Sequence, residues 1–111
     1  MANLSNTGEA NQAAFGQLGS CFCNTTTAQD LTCPSGYAFV AITCLEDTTF
    51  RDLQAVNNKQ IFGSDGVDND FDATGDLVTS ADVFPKGITI YGKWDTVDIA
   101  SGSIIAYYGP A

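Results

Sequence analysis

Apolar residues recur at every second position from Ile88 to Trp94: Ile88, Ile90 and Trp94 share one parity, and Thr89, Tyr91 and Lys93 the other. That alternation predicts a strand with one buried face. Gly92 falls on the buried parity and brings no side chain to pack, so it marks a close approach beneath the Trp94 indole, or a bend. After Trp94 the parity inverts, because Val97 and Ile99 are odd-numbered. An unbroken strand would turn both to solvent, and a bulge or turn at Asp95 and Thr96 is therefore required. Residues 100–103 read as a hairpin connection, with Gly102 free to take a positive φ, and residues 104–108 as the returning strand. This last quarter is the densest run of strand formers and holds the only tryptophan.

The same reading extends to the rest of the chain. Residues 1–14 are polar and small, with a single leucine, and form a lead-in arm that either moves freely or orders against a neighbouring subunit. Residues 15–111 form one β domain. Its first strand lies within 15–23, interrupted by glycine, and a polar connection follows to Asp30. Pro34, Ser35 and Gly36 signal a turn. Residues 37–45 are the most continuous apolar run, too short and too rich in β-branched and aromatic residues for a helix. They read as a central strand buried on both faces. Residues 49–56 are ambiguous between a strand and a single helical turn. A turn at 57–60 precedes a brief return to the core at Ile61 and Phe62, and 64–75 form a long acidic surface loop. No helical stripe exceeds about two turns, and no internal repeat is visible. The pattern predicts an all-β antiparallel sandwich or barrel, with Phe39, Val40, Ile42, Ile88, Ile90, Trp94, Val97, Ile99 and Ile105 in its core.

With 111 residues the chain is long enough for a single domain with a real core. Thirteen acidic residues against Arg51, Lys59, Lys86 and Lys93 give a net charge of −9. Four scattered cations cannot neutralise a phosphate backbone against that field, which argues against nucleic acid as a partner. The acidity serves solubility and suppresses self-association. The first residues lack a basic region followed by an apolar stretch, and no span is long enough to cross a membrane. Synthesis in a cytoplasm is the corresponding expectation.

Candidate chemistry is sparse. Of the cysteines, Cys21, Cys23, Cys33 and Cys44, the first two would share one face of a strand yet stand too far apart to bond easily. Each would then have to find Cys33 or Cys44. Buried free thiols, one or two disulfides and a metal site all stay open, although zinc is disfavoured by the missing Cys-x2-Cys knuckle and the absence of histidine. Asp68, Asp70 and Asp72 imitate the first half of a calcium loop. Ala73 and Thr79 stand where the sixth-position glycine and twelfth-position glutamate belong, so Asp65, Asp68, Asp70, Asp72 and Asp76 are expected to hold no ion tightly. Without histidine there is no ordinary catalytic triad, and no phosphate-binding glycine loop is present. The expectation is a protein that is not an enzyme, with no catalytic, cofactor-binding or metal residues and no cofactor.

The succession Phe84, Pro85, Gly87, a strand, Gly92, Trp94, a strand, Ser101, Gly102, a strand resembles the ending of small virion structural proteins of tailed bacteriophages, notably those of marine bacteria and cyanobacteria. The run Tyr37, Ala38, Phe39, Val40, Ala41, Ile42, Thr43, Cys44, Leu45, Glu46, Asp47 resembles the middle of such proteins. Together the two cover about a third of the chain. The resemblance implies a compact β domain repeated in a virion, as a homotrimer or as an outer decoration or cement protein on a capsid. Its partners would be other copies of itself and a major capsid or other virion protein, with no nucleic acid and no membrane. No catalytic residue is carried over. Two other readings use the same residues: a binding module whose acidic loop holds calcium while exposed aromatics contact a surface sugar, and an extracellular filament subunit. Aromatics gathered beside the acidic loop would favour the sugar; aromatics spread through one core favour the structural component. In the structural reading function lies in subunit contacts, with the arm reaching across to another chain and an apolar surface near Tyr91, Tyr107 and Tyr108.

Overall fold

Glycine- and proline-marked turns cut the chain into short β-branched and aromatic segments, and in the computed structural model these become six strands. They are β1 (Ser20–Cys23), β2 (Leu31–Thr32), β3 (Tyr37–Cys44), β4 (Thr49–Ala55), β5 (Thr89–Ser101) and β6 (Ile104–Pro110). The structure describes residues 18–27, 30–57, 61–64 and 76–111, and no helix occurs among them. The arm at 1–14 and the acidic residues 65–75 lie outside the described residues.

Every strand pairing is antiparallel. The order is β1-β6-β3-β5-β2, with β4 also on β5, and the sheet is curled into a half-barrel. The fold is therefore all-β, with β3 in the middle as its apolar run predicts. Curling divides the sheet into two leaves that share β5. The first half of β5 pairs with β3, opposing Thr89 to Thr43 and Trp94 to Phe39. Its second half pairs with β4 and β2, opposing Val97 to both Leu53 and Leu31. One cluster fills the space between the leaves: Phe39, Ile42, Cys44, Ile104, Ala106 and Cys23 from the first, Phe50, Leu53, Ala55, Val97 and Ile99 from the second, and Trp94 where they join.

A sheet that curls this tightly needs bulges, and they explain the spacing of the core residues. The register of β5 on β4 shifts between Gln54 and Ala55, whose partners are Thr96 and Trp94. Asp95 is therefore the extra residue, and Trp94 and Val97 both face inward. This is the break that the parity inversion demands. Further shifts lie between Phe50 and Asp52 on β4 and between Phe39 and Ala41 on β3. Each shift turns an inward spacing of two into a spacing of three, giving Phe39 with Ile42 and Phe50 with Leu53. A spacing of three also suits a helix, which is the source of the ambiguity over 49–56.

Both ends of the core are capped by aromatics. Trp94 Nε1 donates to the Phe62 carbonyl at 2.9 Å, and the two rings meet edge to face at 5.3 Å. A Cβ on Gly92 would lie 2.8 Å from the indole and 2.9 Å from Ile61, so this glycine is the close approach its position implies. At the other end Phe84 bridges to Thr48 and packs edge to face on Phe50 at 5.0 Å.

Four expectations are corrected. First, β5 and β6 form no hairpin: β6 pairs with β3 and β1. The bend in β5 returns Ser101 to the Cys44 end of β3, where Leu45 N donates to Ser103 O at 2.9 Å and Ile104 opposes Cys44. Gly102 makes the step between leaves with φ 94°, and a Cβ there would fall against Thr48 Oγ1 and the Asp47 carbonyl. Second, β3 is fully buried along its inward face only: on the outward face Ala38 is buried, while Val40, Ala41 and Thr43 are half-buried. Third, Val40 and Ile105 are on that outward side and Ile104 takes the interior place, while Ile88 and Ile90 are half-buried against the core. Fourth, Tyr108 packs inward, its ring 5.5 Å from that of Phe39.

Candidate interaction face

Strand alternation sends every second residue of the first leaf outward, and the register aligns them in rows. One row crosses the sheet as Ser20, Tyr107, Ala41 and Tyr91; the next as Phe22, Ile105, Thr43 and Thr89. Val40 lies over Gly109, where a Cβ would approach it to 2.7 Å, so the outer surface is packed flat at that point. The Thr43 and Thr89 hydroxyls, 2.9 Å apart, hydrogen-bond to each other within the second row. Phe22 is 60% exposed and Tyr91 74% exposed.

None of the described carboxylates is on this face. Asp30 directly precedes β2, Glu46 and Asp47 occupy the β3–β4 turn, Asp76 and Asp82 the segment before β5, and Asp52, Asp95 and Asp98 the second leaf. Lys93 follows Tyr91 on the outward parity and gives one margin a positive charge. In a chain of net charge −9, a four-strand face of aromatic, aliphatic and hydroxyl groups is suited to lying against another neutral surface, with little charge to desolvate.

Of the three tyrosines expected at a contact surface, the structure brings Tyr91 and Tyr107 together in one row and places Tyr108 on the opposite side. Phe22 is the contributor that the sequence reading overlooks. Its signal was present: Cys21 and Cys23 share the inward parity, and the large residue between them must then point out.

The inward side of the same leaf holds a group of nucleophilic side chains. Tyr108 hydroxyl hydrogen-bonds Cys21, and Cys33 stands close enough for the charge of Cys21 to act on it. Burial pushes the Cys33 thiol up to about 12, with Cys21 and Asp95 adding to the rise. Cys21 is also raised, first by burial, against the bond from Tyr108. Burial likewise raises Tyr108, helped by the charges of Cys21 and Cys33. Cys44 is raised by burial, partly opposed by a bond with Thr48. Cys23 and Cys44 both oppose Ile104, one from each side of β6. Two strand spacings, about 9–10 Å, separate them, beyond the reach of a disulfide. Asp76 is exposed, and Asp65, Asp68, Asp70 and Asp72 fall outside the described residues. Among the described residues no three Cys, Asp or Glu side chains gather as a metal site.

No family model, curated protein or solved structure matches the chain.

Proposed function

We propose that the protein is a non-catalytic structural component of a virion, a decoration or cement protein that stabilises a tailed-phage shell through subunit contacts. The observation that carries the reading is the outer face of the first leaf, which holds no described carboxylate and only Lys93 at its margin, in an otherwise acidic chain. Phe22, Ile105, Tyr107 and Tyr91 meet the neighbouring virion protein, and the acidic remainder faces solvent. That polarity suits the outside of a particle, because a protein lining packaged nucleic acid would be repelled by phosphate. The aromatics support contacts over sugar binding: Trp94, the best stacking platform in the chain, is fully buried, and Phe39, Phe50, Phe62, Phe84 and Tyr108 pack with or around the core. Repetition of the chain around a homotrimer, assembled in the host cytoplasm, is the arrangement that the resemblance to small phage proteins implies.

Electron microscopy of the native assembly is the direct test, with light scattering on the purified chain as its solution counterpart. Repeated copies are expected on a shell, the Phe22 and Tyr91 face turned to a neighbour, and a trimer or larger species free in solution. A chain that stays monomeric and adds to no shell overturns the proposal.

A further inference from the structure

The two ends of the sheet path, β1 and β2, are left without a ladder to each other. Cys21 is the second residue of β1, opposite Ala106 on the inward parity, as its packing against the core cluster shows. Cys33 follows β2 directly and has the parity of Leu31, which opposes Val97 and packs on the same cluster. Curling therefore brings an inward-facing thiol from each terminal strand to the open side of the half-barrel. Tyr108 hydroxyl already hydrogen-bonds Cys21, and a thiolate at either cysteine would act on Tyr108. Cys23 and Cys44 have no such relation, being held on either side of β6.

We propose that Cys21 and Cys33 are a redox pair, which an oxidising small-molecule disulfide converts into a bond that fastens β1 to the end of β2 and closes the half-barrel. The Cys21 thiolate, supported by the Tyr108 hydroxyl, attacks one sulfur of the oxidant and releases one small thiolate. The Cys33 thiolate then attacks Cys21 Sγ in the mixed disulfide, forms the Sγ–Sγ bond and releases the second. Two cysteine thiols lose two electrons and two protons, and the oxidant takes up both as two thiols. Burial slows the first attack by keeping both groups protonated. The same high proton affinity makes the cysteines poor leaving groups, so the finished bond reopens slowly. A protein made with reduced thiols would thus gain its closing bond on meeting an oxidising exterior. The inference is independent of the virion reading, since it concerns only the two ends of one sheet.

The experiment incubates the full chain with glutathione disulfide and maps thiols and cross-links by mass spectrometry. Two thiols should disappear, a peptide joining Cys21 to Cys33 should appear with a loss of about 2 Da, and Cys23 and Cys44 should remain alkylatable after denaturation. Closing a loop of about a dozen residues should raise the melting temperature by roughly 5 °C or more over the reduced chain, reversibly with a reductant. Cys33→Ser should abolish the rise. Four free thiols after oxidation, glutathione adducts alone, or a different pairing would overturn the proposal. The mapping uses the unaltered protein, so it decides the pairing even where a serine variant folds poorly.

Discussion

The two outward faces of the curled sheet arise from the same alternation yet carry opposite chemistry. On the second leaf the polar groups satisfy one another. Arg51 Nη1 meets Asp98 Oδ1 at 3.0 Å while its Nη2 donates to the Thr26 carbonyl at 2.8 Å. Asp52 accepts from Gln54 Nε2 at 2.9 Å and from Ser64 Oγ at 3.0 Å, and Ser64 Oγ in turn accepts from Leu53 N at 2.7 Å. The first leaf has instead Phe22, Ile105, Tyr107 and Tyr91 beside the Thr43 and Thr89 hydroxyls. A face whose charges are already paired is finished toward water, and burying it against a partner would mean desolvating those charges. The first leaf, charged only at its Lys93 margin, carries less of that cost, which is why the proposed contact is placed there and not on the second leaf.

The largest effect should come from the residue on which both faces depend. Trp94 sits at the junction of the leaves, fully buried, with its indole N–H bonded to Phe62 and Gly92 beneath its ring. Trp94→Ala should cost about 3–5 kcal/mol in denaturant unfolding and blur the distinction between the leaves altogether. An unchanged midpoint would mean that the junction is not where the core is held. Next comes the corner at Gly102, where the left-handed φ and the lack of space act together. Gly102→Ala should cost roughly 2–4 kcal/mol in the same measurement.

How much of this was legible beforehand depends on the range over which each signal acts. Gly92 under the indole and the break after Trp94 could be read because both are local: parity along one strand records them. The all-β class followed from segment length and residue type for the same reason. The false hairpin shows the limit. Residues 100–103 look like a hairpin turn from their own chemistry, and only the accumulated bending of a thirteen-residue strand carries the chain across to the far side of β3. Bulges at Asp95 and Arg51 hide that bending by giving the core a spacing of three. Of the tyrosines proposed for a contact face, Tyr91 and Tyr107 do share one outward row. Tyr108 was misplaced because adjacent aromatics on a strand point to opposite faces, and the choice between them needed the register with β3.

Paired polar groups should make the second leaf sensitive to the loss of one partner. Asp98 is almost wholly buried while Arg51 remains partly exposed. Arg51→Ala should therefore cost about 1–2 kcal/mol, more than a surface ion pair and less than a fully buried one. The double variant with Asp98→Asn should recover part of the loss, since the buried charge is removed along with the cation that offset it. Additive costs in the cycle would show that the pair is screened by solvent and that the second leaf is not self-satisfied as its geometry implies.

The smallest effect on stability should come from the first leaf, and there the comparison is at its sharpest. Tyr91 is 74% exposed and opposes Ala41, whose other neighbour in the row is Tyr107 on β6. Tyr91→Glu removes no core contact, so unfolding should shift by no more than about 0.5 kcal/mol. A carboxylate at the β5 end of that row must nevertheless be desolvated whenever the face is covered, with Lys93 at the margin to offset it only in part, and the resulting penalty falls on association alone. Light scattering and mass photometry should therefore show a folded chain that no longer assembles, whereas Thr32→Glu, at an exposed and already polar position of the second leaf, should assemble like the parent. If both variants assemble equally well, the uncharged face is not the one that meets a neighbour, and the assignment of the contact to the first leaf is lost.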